Sequence, residues 1–200
     1  NLRSMLCELN LLSRSDGSAM LTQGQTAVIA SCNGPTEVKL QHLDIEKAYI
    51  DVLYKPKCGL GSINDRLKEK IIKNTCESAL LTTLYPRSAI VINIQEMEDR
   101  GGLIACAINA ACLALLNSGI DMKFLVAAVH CIVDENNELK LDPDNKLTQK
   151  ALASFTFVFD SIEKNTVTIY TTGKFTTEQY KNALKLCCLA SSNIFDFYKE

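Results

Sequence analysis

The chain of 200 residues has only two histidines, His42 and His130. His130 falls in an apolar run, where burial in the core is the expected role. No Ser/His/Asp arrangement, CxxC pair, P-loop or dinucleotide fingerprint accompanies either one. Linkers are missing too: no Gly/Ser- or Pro-rich stretch divides the sequence and no repeat is visible, so residues 1–200 read as one domain. Long hydrophobic runs are absent. The most apolar stretch, Leu103 to Leu116, is fourteen residues with Asn109 its only clearly polar member. At ~1.5 Å per residue it falls short of a ~30 Å bilayer core, so it is a buried helix and no membrane partner is expected. Charge of one sign is also scarce. The net charge of −2 excludes a dominant basic nucleic-acid surface and leaves room only for a local patch.

Cysteine is plentiful: nine residues, an odd number, irregularly spaced and mostly inside apolar runs such as those holding Cys32, Cys106, Cys112 and Cys131. Free cysteine packs as a small hydrophobe, so a reducing compartment is expected rather than a disulfide framework. The sequence starts at Asn1 rather than Met, which leaves a preceding segment open.

The first third reads as strands. Met5 to Leu12 alternates, a turn follows at Ser15-Asp16-Gly17-Ser18, Ala19–Leu21 is a short run, and a second turn lies around Gly24. Thr26–Cys32 is a continuous strand closed by Asn33-Gly34-Pro35, and Tyr49–Tyr54 is another. Ser62-Ile63-Asn64-Asp65 has the form of a capping box opening a helix to about Leu84. On that helix Leu67, Ile71 and Ala79 are expected inward, with Arg66, Lys70 and Lys73 on the opposite face. Further strands are Ile90–Ile94, Val126–Val133, Leu139–Leu141 after a turn at Asn136-Asn137, Ser154–Phe159 and Val167–Tyr170. A last helix opens at Thr176-Thr177-Glu178-Gln179, with Tyr180, Leu184, Cys187, Ser191, Ile194 and Tyr198 along one stripe. The fold class is α+β, a mixed β-sheet with packed helices.

Three constellations could carry chemistry. Asp99-Arg100-Gly101-Gly102-Leu103 joins a strand to the apolar helix, the place where glycines and free N–H groups receive an anion. No cation completes it, since the next Lys or Arg after Arg100 is Lys123. The Arg66/Lys70/Lys73 face could meet RNA phosphates, although Asp65, Glu69 and Glu77 dilute its charge. Asp142, Asp144 and Asp160, with Lys146, could hold magnesium, whereas Asp-Pro-Asp-Asn is also ordinary turn chemistry. Asn109 inside the apolar helix calls for a hydrogen-bond partner and a structural role.

Together these segments resemble the RNase PH family over nearly the whole chain. The resemblance rests on Asp16-Gly17-Ser18-Ala19, Gly24-Gln25-Thr26-Ala27-Val28 and Asn33-Gly34-Pro35. It continues through Leu84-Tyr85-Pro86-Arg87-Ser88, the loop and helix from Asp99 with Ile108-Asn109-Ala110-Ala111, and Leu141-Asp142-Pro143. Each motif is weak alone; in this order and spacing they are specific. Within the family the chain is similar to ring subunits of the eukaryotic RNA exosome.

The resemblance implies an RNase PH-like fold (ribosomal protein S5 domain 2-like) and neighbours that are other RNase PH-like ring subunits, with an S1/KH cap on one face and RNA passing through. It implies a place in rRNA processing and mRNA decay, in nucleus, nucleolus and cytoplasm. It also marks a loss. Active members place an arginine after the loop glycines, where this chain has Leu103, and Arg100 stands before them. They carry acidic residues about ten positions past the Leu-Asp step, where Leu147 to Ser154 holds no carboxylate. The resemblance therefore implies a non-catalytic subunit whose loop Arg100, Gly101, Gly102, Leu103 is degenerate, needing no cofactor. The alternative is a magnesium-dependent nuclease acting as a homodimer outside the ring.

Overall fold

The computed structural model describes residues 2–199. The first sheet holds β1 (Met5–Leu9), β2 (Gly17–Gln23), β3 (Thr26–Glu37), β4 (Tyr49–Lys55) and β5 (Ser88–Glu98), in the order β1-β2-β3-β5-β4. Its neighbours run antiparallel except β4 and β5. That pair is parallel because α1 (Ile63–Ala79) supplies the crossover such a connection needs. The second sheet is antiparallel throughout: β6 (Val126–Val133), β7 (Leu139–Leu141), β8 (Ala153–Asp160) and β9 (Thr166–Gly173), in the order β7-β6-β8-β9. The mixed sheet expected from the sequence is the first of these, and the antiparallel second sheet stands beside it.

Between them lies α2 (Leu103–Ser118), buried along nearly its whole length. Gly17 lets it come this close. A Cβ at Gly17 would stand 2.5 Å from the carbonyl oxygen of Ala114 and the nitrogen of Ser118, so any side chain there would push helix and sheet apart. The outer face of the second sheet is covered by α4 (Thr177–Phe197), whose buried stripe includes Ala183, Cys187, Ser191 and Ile194. A short α3 (Asn145–Thr148) follows β7.

The two layers share β6. Val126 and Ala128 pack toward α2, and Ala127, Val129, Cys131 and Val133 toward α4, as alternation along a strand requires. A strand buried on both faces reads as one continuous apolar run, which is how Val126–Val133 appears in the sequence. Phe155, Phe157 and Phe159 occupy alternate positions of β8 and fill the core beneath α4. Six of the nine cysteines, including Cys106, Cys112 and Cys131, are buried. Among the described residues no helix is long and apolar enough to cross a membrane.

The ends of α1 and β3 and the buried face of α1 differ from expectation. α1 stops at Ala79 rather than near Leu84. Leu80 turns extended (φ −85°, ψ 147°) and bridges Met122, and the β-branched Thr82-Thr83 enter a 3₁₀ turn. The inward stripe of α1 is Asp65, Ile72, Thr75, Cys76 and Ala79, so Leu67 lies outside it and is exposed. β3 continues to Glu37 past Asn33-Gly34-Pro35, with a register shift between Asn33 and Thr36. Asp16 Oδ2 accepts the Gly34 N–H at 2.9 Å, which ties the first turn motif to this bulge.

Candidate functional site

The loop between β5 and α2 is built from backbone groups held by side chains of other segments. Asp99 Oδ1 accepts the Gly101 N–H at 2.9 Å. Thr26 Oγ1 accepts the Arg100 N–H at 3.2 Å and donates to the Gly101 carbonyl at 2.8 Å. The Asn145 N–H donates to the Arg100 carbonyl at 2.9 Å. Gly101 has φ 108°, and a Cβ on it would lie 2.4 Å from the Pro143 carbonyl oxygen, so only glycine fits. Gly102, at φ 68°, caps α2 with no side-chain hydrogen bond.

A cation does sit beneath this loop, and the sequence reading missed it. Arg3 Nη2 donates to the Gly101 carbonyl at 3.0 Å and to Asp142 Oδ1 at 2.6 Å. The Arg3 backbone N–H donates to Asp142 Oδ2 at 3.0 Å, and Gln23 Nε2 to the same oxygen at 2.9 Å. Arg3 stands in an unpatterned stretch ahead of the first strand, so spacing offered no signal for it. Thr26 lay within the Gly24–Val28 motif, so its signal was present.

The start of α2 opens into a cavity of about 240 Å³. Leu103 and His130 line it, and so do Thr148 and Ser154 from the stretch that carries no carboxylate. Leu103 is buried in the main core and presents no charge to the cavity. Arg100 turns away, its Nε 2.9 Å from Glu98 Oε1. Lys68 reaches the wall, but its Nζ lies 3.1 Å from Asp65 Oδ1 and 4.7 Å above the Tyr54 ring. His130 Nδ1 shares a 3.0 Å hydrogen bond with Thr156 Oγ1, while Nε2 has no partner. Burial drives the His130 pKa down to about 4, which keeps the imidazole neutral near pH 7. The cavity is therefore lined by hydroxyls, one neutral imidazole and the Asp99 carboxylate, whose Oδ1 is engaged by the Gly101 N–H, with its single lysine already paired.

The magnesium alternative is corrected by the same geometry. Asp142 is taken up by Arg3 and Gln23. Asp144 is largely exposed at the start of α3 and has only a 3.5 Å approach from Arg3 Nη1. Asp160 faces Val126 across the ladder, whereas the Asp142 N–H bonds the carbonyl of His130. Four residues of strand at ~3.3 Å each separate those two points. Asp160 Oδ1 instead accepts the N–H groups of Ile162, Glu163 and Lys164 at 2.8 to 3.0 Å, ordinary turn chemistry. Among the described residues no group of three His, Cys, Asp or Glu is placed to hold a metal. Lys146 is exposed on α3.

The basic face is divided. Arg66 and Lys70 are exposed, but Lys73 is half-buried, with Nζ 4.2 Å over the Tyr49 ring and 3.9 Å from Glu77. Asn109 has the structural role expected of it: its amide donates to the Ala128 carbonyl at 3.0 Å and accepts the Ala128 N–H at 2.7 Å.

Two sheets around a buried helix, entered through a glycine loop, define an RNase PH-like domain. The chain belongs to the 3′ exoribonuclease family, whose RNase PH domain 1 model matches residues 1–121. It is 40% identical over 157 residues to the exosome complex exonuclease RRP46 homolog of Arabidopsis thaliana, covering 78% of this chain and 65% of that protein. To the RRP46 homolog of Oryza sativa subsp. japonica it is 34% identical over 215 residues, covering 99% and 90%. The crystal structure of rice Rrp46 superposes with a TM-score of 0.95 at 34% identity, covering 100% of this chain and 94% of that one.

Proposed function

We propose that the chain is a non-catalytic RNase PH-like ring subunit of the RNA exosome. It scaffolds 3′-to-5′ RNA processing and degradation carried out by associated nucleases. The relatives named as exosome RRP46 proteins support the assembly, since the chain matches the rice protein along nearly its full length. The loss of chemistry rests on one observation above the others: Leu103, at the mouth of α2, is a core side chain. Phosphorolysis needs an inorganic phosphate held as nucleophile and an acid at the leaving oxygen. The cavity provides no free cation, Thr148 to Ser154 bring it no carboxylate, and its one acidic group, Asp99, is held on the loop by the Gly101 N–H. Losing such an electrostatic group typically costs ~10²–10³ in rate.

Its partners in this reading are other RNase PH-like ring subunits, an S1/KH cap on one face and the RNA in transit. Its places of action are nucleus, nucleolus and cytoplasm, where rRNA processing and mRNA decay occur. The test is purification of the native chain with its partners, followed by assays of the isolated chain on RNA with phosphate or magnesium supplied separately. Co-purification with ring subunits and no release of nucleoside diphosphates are the expected results. Diphosphate release that survives repurification and is abolished by Gly102→Val would overturn the reading.

A further inference from the structure

Nothing within the described chain covers the outer face of α1. Ile63, Arg66, Leu67 and Lys70 stand at i, i+3, i+4 and i+7 and form one stripe opposite the buried Ile72 and Ala79. Ile63 is 87% exposed and Leu67 44%, and Leu60, just ahead of the helix, is 98% exposed. Beside the stripe a groove of about 550 Å³ runs between the sheet edge at β4 and the first turns of the helix, lined by Leu53, Ser62 and Arg66. Leu53 is 45% exposed there.

The carboxylates of the groove are already engaged. Asp65 Oδ2 accepts the Ser62 N–H at 2.8 Å, and Asp65 Oδ1 pairs with Lys68 at 3.1 Å. Glu69 Oε1 accepts the Tyr54 N–H at 2.9 Å, so that part of the β4 edge is closed to an added strand. Arg66 and Lys70 have no ionic partner among the described residues. The face thus offers aliphatic surface and unpaired positive charge side by side.

RNA supplies negative charge but covers such a face poorly. Single strands bind by stacking bases on aromatic rings, and this stripe has none. Tyr54, the nearest, is buried, with its hydroxyl on Glu96 and Lys68 over its ring.

We propose that this face docks an acidic protein segment with aliphatic side chains on one side and Asp or Glu residues opposite Arg66 and Lys70. With the Tyr54 N–H taken, the segment lies along the helix as an amphipathic partner rather than joining the sheet. The proposal rests on the ring assembly inferred above, because the segment belongs to a co-assembled subunit.

The experiment replaces Leu67 with the photocrosslinker p-benzoylphenylalanine in the full chain, assembles it with its ring partners and irradiates the isolated particle. The expected adduct survives ribonuclease, is destroyed by protease and maps by mass spectrometry to an acidic, aliphatic-bearing segment. Combining Arg66→Glu with Lys70→Glu should lower its yield about tenfold, the effect of ~1.4 kcal/mol. A ribonuclease-sensitive adduct decides for RNA and overturns the proposal. So does a particle that forms normally but gives no adduct, or an adduct whose yield ignores the charge reversal. A chain that elutes outside the ring particle defeats the assembly itself, an outcome told apart by size-exclusion before irradiation.

Discussion

Arg3 and Asp142 lie 139 positions apart and meet at 2.6 Å, with 18% of the arginine side chain and 1% of the aspartate exposed. The pair joins the start of the chain to the β7–α3 turn. Through the Gly101 carbonyl it also fixes the loop ahead of α2.

Removing one partner of this pair should be costly, because the other stays behind as an uncompensated buried charge. Arg3→Ala is expected to lower stability by ~3–5 kcal/mol in urea denaturation. Amides 100 to 104 should exchange faster with deuterium. Arg3→Lys keeps the charge but loses the fork and should fall between. A variant as stable as the parent would mean that Asp142 is solvated.

Asn109 is the only side chain satisfying both polar groups of Ala128 from within α2. Asn109→Ala strands a buried N–H and a buried carbonyl, each worth ~1–3 kcal/mol when unpaired. Thermal denaturation should show a loss in that range or above it. A shift of less than half of that would place water in the gap.

His130 gives stability a pH dependence. Its folded pKa, about 4, lies below the unfolded value of 6.5. Between those values the unfolded chain binds the proton that the native state refuses, so stability rises with pH across this window and is lost as pH falls through it. The full span corresponds to ~3 kcal/mol. Urea midpoints for wild type and His130→Asn, compared at pH 4.5 and 7.5, should converge at the lower pH. Parallel profiles would contradict the assignment.

Gly17→Ala tests the closeness of α2 to the first sheet. The atoms a Cβ would meet are backbone, which cannot swing aside. Overpacking of this kind typically costs ~1–3 kcal/mol. An unchanged melting temperature would show that the helix can slide.

Much of the fold was readable because burial leaves a period. Val126–Val133 and the stripe on α4 matched closely, since one is doubly buried and the other half-buried over many turns. What failed was local competition. Leu80 to Leu84 continue an apolar pattern, yet β-branched threonines and the bridge to Met122 end the helix. Leu67 fits a helical spacing that the true inward stripe misses by a fraction of a turn. The loop glycines were legible because only glycine tolerates their geometry. Arg3 was not, because a long-range ion pair leaves no local signature, and Asp142 read as turn chemistry while serving as its buried partner.

β6 belongs to the cores on both of its sides, so the two hydrophobic interiors of the molecule share one strand. Loosening α4 exposes the strand on which α2 rests, and loosening α2 does the same for α4. The chain is therefore expected to unfold as one cooperative unit, with damage in the layer far from the glycine loop felt at that loop as one shared melting transition.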